Sequence, residues 1–147
     1  MKKFKFSLEK VLDFKSQNLD VKNNEMMKLQ ADLRELEARI ARLNEDFQKT
    51  NQKMVQELQG GLSPMDMAAY KVYLHEINQK TQHCKAEKAA LQQVIEKKMA
   101  LILELKTDIS GLERLKDKQI DTYLAGVQKE QEVALEEFVS RSRYYAV

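Results

Sequence analysis

Residues 59–66 read QGGLSPMD, and they hold the chain's only proline and two of its four glycines. Gly60 and Gly61 can take the positive φ angles that end a helix. Ser63 then stands where an N-cap belongs. Pro64 falls at the first helical position, where a missing N–H costs nothing, and Asp66 at the third, where it can close a capping box and favour the helix dipole. Leu62 and Met67 are placed to staple across that cap. The stretch therefore predicts a helix–turn–helix reversal, and two adjacent glycines argue against a mere kink in one continuous helix.

Working outward, little else in the chain can turn it. Of 147 residues, 33% are charged, tryptophan is absent, and glycine and proline are too few for the turns that a sheet or a compact bundle needs. The composition is rich in Leu, Lys, Glu, Gln and Ala, which lose little rotamer freedom in a helix. The expectation is all-α: one elongated antiparallel two-helix coiled-coil hairpin over residues 1–147. Helix one is expected over about 7–59, the turn at 60–63, helix two over about 64–138, and a flexible C-terminal tail at 139–147.

Hydrophobic positions support this, stepping by alternating fours and threes as a heptad seam does. Before the turn they run Leu8, Leu12, Lys15, Leu19, Lys22, Met26, Leu29, Leu33, Leu36, Ile40, Leu43, Phe47, Thr50, Met54. After it they run Met67, Tyr70, Leu74, Ile77, Thr81, Cys84, Lys88, Leu91, Ile95, Lys98, Ile102, Leu105, Ile109, Leu112, Lys116, Gln119, Tyr123. In an antiparallel pair, residues in one layer have numbers of constant sum. A sum of 124 sets Lys15 across from Ile109, Met26 from Lys98, Leu36 from Lys88 and Leu8 from Lys116, so no layer buries two polar heads. Lysine stems can lie along the groove while their ammonium groups reach water. A sum of 131 would oppose Lys15 to Lys116, and 117 moves the turn away from the glycines.

That register leaves helix two longer and overhanging. At ~1.5 Å per residue the paired part is roughly 80 Å long, and residues 117–140 add about 35 Å of helix without a partner. Along the overhang Ile120, Tyr123, Leu124, Val127, Leu135 and Phe138 recur at near-helical spacing. Two readings stay open: a frayed tail, favoured by Gly126 and the Gln-rich residues 128–131, or a docking surface for another protein. Near the turn, Tyr73 falls outside the seam and is a second contact candidate.

Chemistry is scarce. His75, His83 and Cys84 do not supply the three or four converging ligands of a zinc site, and Gly60-Gly61 lacks the Gly-Lys-Ser/Thr of a phosphate loop. Neighbouring Glu136 and Glu137 point in different directions on a helix. The expectation is no enzyme, no cofactor and no metal. A net charge of +2, with both signs spread evenly, gives no nucleic-acid footprint. MKKFKF lacks the apolar run of a signal peptide, no window approaches ~18 apolar residues, and a single cysteine fits a reducing compartment. A soluble, cytoplasmic chain is expected, with no direct membrane insertion.

The residues resemble a known family. F4-K-F6-S-L8-E9-K-V11-L12 is similar to the opening pattern of the FliJ family of flagellar type III export proteins, and E132-V-A-L135-E136-E137-F-V-S-R141 resembles its closing run. Length and turn placement also fit, and the resemblance covers the whole chain. One departure is Lys15, where the family often has arginine, so that the bidentate fork is lost and close carboxylate pairing there is put in doubt. The resemblance implies a non-enzymatic stalk and adaptor, cytoplasmic and peripherally associated with the export apparatus at the inner membrane. Its implied partners are the hexameric flagellar export ATPase, the export gate membrane protein and the flagellar export chaperones. We assign Phe4, Phe6, Tyr123, Leu124, Val127, Leu135 and Phe138 to ATPase binding and Tyr73 to the export gate. Phe4 and Phe6 are expected to form one apolar plug with the early overhang, ringed by Lys2, Lys3, Lys5 and Lys10. A generic coiled-coil scaffold, or the equivalent stalk protein of a virulence-type secretion system, is the alternative.

Overall fold

The computed structural model describes residues 2–145. It is all-α, with α1 at Glu9–Gln59 and α2 at Pro64–Tyr145, an antiparallel two-helix hairpin with the second helix longer. The turn forms as its residues dictate. Gly61 takes φ +89°, the left-handed region in which a side chain would be strained, and the Gly60 and Gly61 N–H groups donate back to the carbonyls of Glu57 and Leu58. Ser63 caps α2: its hydroxyl accepts from the Asp66 N–H at 3.1 Å, and its carbonyl takes the first helical bond, from the Met67 N–H.

One boundary differs from expectation. Helix α2 continues through Tyr145 instead of ending near 138, so residues 139–145 are helix rather than tail, and 146–147 lie outside the described residues. Gly126 and the glutamines at 128 and 131 do not interrupt it. An isolated glycine lowers helix propensity by only ~1 kcal/mol, which neighbours such as Leu124, Ala125, Ala134 and Leu135 offset.

The described residues form two compact units, Lys22–Leu101 and the residues on either side of that span. Within Lys22–Leu101 the core is Met26, Leu36, Leu74, Ile77, Thr81 and Cys84, all under a tenth exposed. The Thr81 hydroxyl is satisfied by donating to the carbonyl of Ile77, one turn back. In the other unit the core is Phe6, Leu12 and Ile109, with Phe4, Leu8, Leu19 and Leu112 packed against it. Every seam position named from the sequence is at least partly buried except Phe47, at 36% exposure.

Inter-helix bonds in each unit fit the 124 register. Lys15 pairs with Asp108 and Lys98 with Glu25, sums of 123; Lys88 pairs with Glu37 and Lys116 with Glu9, sums of 125. The seam lysines thus differ from expectation in one respect. Their ammonium groups end on carboxylates beside the apolar residue opposite, not in open water.

Candidate functional site

Two surfaces carry the residues singled out above. In the terminal unit, residues 2–8 precede α1 and lie against α2. Phe6 is 7% exposed and belongs to the core. Phe4 is half-buried, its ring 5.5 Å from that of Tyr123 and tilted by 55°. The Tyr123 hydroxyl donates to the Lys2 carbonyl at 2.6 Å. Phe4 thus lies beside the early overhang of α2 with its ring on Tyr123, while Phe6 is buried in the core rather than open at the surface. The physical reason is that both rings meet apolar surface there, Phe6 with Leu12 and Ile109 and Phe4 packed against that cluster.

The remaining candidates stay open. Leu124 is 56% exposed, Leu135 63% and Phe138 69%, while Val127 is half-buried. Residues 128–145 are all exposed, and Val133, Val139, Tyr144 and Tyr145 add apolar surface there. No helix α1 residue reaches this stretch in the contacts above. The seven proposed ATPase-contact residues thus separate into a closed set, Phe4, Phe6 and Tyr123, and an open set on α2, with Val127 at its edge.

Lysines border the closed set. Lys5, Lys10 and Lys116 line an open groove of about 550 Å³ together with Phe4, Phe6, Ser7 and Glu9. Lys116 reaches Glu9 at 2.9 Å, and that bond to the carboxylate holds its ammonium pKa above the usual lysine value. Lys15 reaches Asp108 at 2.8 Å, so close carboxylate pairing survives there without arginine's fork. Sequence reasoning missed Phe14, 69% exposed on α1, and with it Val11 at 42%. Their signal was available: an aromatic two positions past Leu12 cannot share the seam's face.

The second surface lies near the turn. Thr50, Lys53, Glu57, Asp66, Ala69, Tyr70 and Tyr73 line an open groove of about 560 Å³. Tyr70 donates its hydroxyl to Glu57 at 2.6 Å and Tyr73 to Asp46 at 2.8 Å. Each carboxylate bond favours the neutral phenol and raises the tyrosine pKa above its usual value. With its hydroxyl engaged on Asp46 and 44% of the residue exposed, the Tyr73 ring is what a partner can touch.

Nothing in the described residues gathers three or more His, Cys, Asp or Glu side chains suited to a metal ion. His83 pairs with Glu87, one turn on, and Cys84 is buried in the core. No helix among the described residues is long and apolar enough to cross a membrane. The two surfaces are an apolar helix face and a rimmed aromatic groove.

The family model described as "Flagellar FliJ protein" matches residues 4–144. Neither the curated proteins nor the solved structures give a match.

Proposed function

Since the chain belongs to the flagellar FliJ family, and so has a role in flagellar protein export, we propose that it is a non-enzymatic stalk and adaptor of the export apparatus. In this reading the α2 end docks into the hexameric export ATPase, the turn-proximal face meets the export gate membrane protein, and export chaperones are handled between cycles. The chain then works on the cytoplasmic side, peripherally associated with the apparatus at the inner membrane. The observation that carries the proposal is the open stripe of Leu124, Leu135 and Phe138, each more than half exposed among the described residues. Large apolar side chains in such a row favour burial against a partner, at roughly 1.5–3 kcal/mol for each one fully covered.

The burial of Phe6 moves the proposed contact away from the N-terminal aromatics and onto α2. Lys5, Lys10 and Lys116 beside it can steer the end toward an acidic pore rim. At the turn, the exposed Tyr73 ring supports a separate contact. Co-purification from lysate with tagged full-length chain tests both assignments. Tyr73→Ala is expected to lose the gate and keep the ATPase, and Leu124→Ala with Phe138→Ala to do the reverse. Equal loss of both partners in both variants would refute two separate contacts.

A further inference from the structure

We propose that two copies of this chain pair with each other through residues 120–142 of α2, antiparallel, about a two-fold axis at Gln131. An interface between identical surfaces must read the same from either end, because residue i on one copy meets j while j meets i. The open stripe has this property. Leu124, Val127, Gln131, Leu135 and Phe138 are separated by three, four, four and three residues, and steps of four on each side extend the pattern to Ile120 and Ser142. A binding face for an unrelated partner needs no such symmetry.

At ~100° per residue, all seven positions fall within about 40° of one line on the helix. On that line Leu124, Leu135 and Phe138 are more than half exposed, while Ile120 and Val127, on its flank toward Tyr123, are half-buried. The hydroxyl of Tyr123 is bound to Lys2 and its ring to Phe4, and Leu124 lies a further ~100° round the helix, 56% exposed. The overlap would run for about 33 Å.

Antiparallel pairing about Gln131 sets Leu124 of one copy on Phe138 of the second, and Val127 on Leu135, twice each. Gln131 meets its own copy, and an amide can both donate to and accept from its like. Gln131, the polar residue at the centre of the seam, favours this register, since a slip would bury its amide against an apolar side chain. The charges at both ends agree. Asp121 and Arg143 of the second copy lie on the same flank within two residues of the same level, and the contact occurs twice by symmetry. Glu130 and Glu132, beside the midpoint, each approach their own copies and weaken the pairing, so the dimer is of modest affinity and reversible.

Cysteine cross-linking of the full chain under mild oxidation tests this, with native Cys84 buried in every variant. Gln131→Cys should form disulfide-linked dimers about tenfold faster than Ser140→Cys, which points to the opposite side of the helix. Leu124→Cys and Phe138→Cys should each be slow alone and fast when mixed. Gln131→Cys no faster than Ser140→Cys would overturn the proposal, as would Leu124→Cys linking to itself as fast as to Phe138→Cys, the mark of parallel pairing. Sedimentation equilibrium gives a second reading without cysteine: Leu135→Asp should shift the chain toward monomer, and native chain that is monomeric at about 1 mM would refute the pairing. The assay contains this chain alone, so its outcome is separate from that of the ATPase docking proposed above, although both use Leu124 and Phe138.

Discussion

Lys15 Nζ lies 2.8 Å from Asp108 Oδ2, while the residue across the seam from Lys15 is Ile109. The same offset recurs. Lys98 opposes Met26 and pairs with Glu25, Lys88 opposes Leu36 and pairs with Glu37, and Lys116 opposes Leu8 and pairs with Glu9. A lysine in a seam lays its methylenes over the apolar residue opposite and places its charge on the acid beside that residue. Register and charge pairing therefore reinforce one another, because a slip of one heptad would separate all four pairs.

The Glu25–Lys98 pair gives a pH signature. Its hydrogen bond to Lys98 holds the Glu25 carboxyl below the ordinary 4.5. A depressed folded-state pKa contributes stability that is present above the unfolded value and lost as pH falls through the folded one. Glu25→Gln should therefore lower Tm near neutral pH, and the difference from native should shrink as pH drops below 4.5. A gap of constant size down the whole acid limb would contradict the pairing.

Burial separates the N-terminal aromatics from the α2 stripe. Phe6, 7% exposed, should cost about 3 kcal/mol on replacement by alanine. Phe138, 69% exposed, should cost less than about 0.5 kcal/mol. Urea unfolding followed by circular dichroism measures both, and similar losses for the two would show that the stripe is packed in solution.

How much of this was legible beforehand follows from which forces are periodic. The seam from Leu8 to Tyr123 was readable because coiled-coil burial repeats every seven residues, and the cap at Ser63 because its signals are local. The place of Phe4 and Phe6 beside the early overhang is legible, but the burial of Phe6 is not, because it precedes α1, where heptad counting stops and cannot say which ring is covered. The last turns of α2 were not legible because residues 139–145, VSRSRYY, offer only weak, additive helix propensity that a long helix absorbs. The carboxylate partners of the seam lysines were missed because layer pairing considers only residues directly opposite, and the acids sit one residue to the side.

The turn makes a further test. Gly61→Ala should cost about 1 kcal/mol, since φ +89° strains any side chain. Gly60→Ala should cost less, because the added Cβ would meet only the Glu57 carbonyl, at an ordinary 3.7 Å. Ser63→Ala should cost about 1 kcal/mol through loss of the cap to Asp66. Thermal unfolding of the three variants gives the order, and Gly60→Ala as the worst would contradict the turn described.

Tyr73 offers a spectroscopic test. Its bond to Asp46 raises the phenol above the ordinary 10.0, so that bond's contribution is full below 10.0 and disappears as pH rises through the folded value. Asp46→Asn should bring Tyr73's ionisation down toward 10.0, read as ultraviolet difference absorbance, with Tyr70 on Glu57 unaffected. No movement of any tyrosine titration would show that the Asp46 contact is not formed.

The most direct measurement is the affinity of purified full-length chain for the assembled export ATPase, by fluorescence anisotropy, for the native chain, Leu124→Ala with Phe138→Ala, and Phe4→Ala. If the open stripe of α2 is the docking face, two anchors worth about 2 kcal/mol together weaken binding roughly 30-fold, while Phe4→Ala, whose ring lies on Tyr123, changes it less than about threefold. Unchanged affinity in the double variant, at full helicity, would contradict the account.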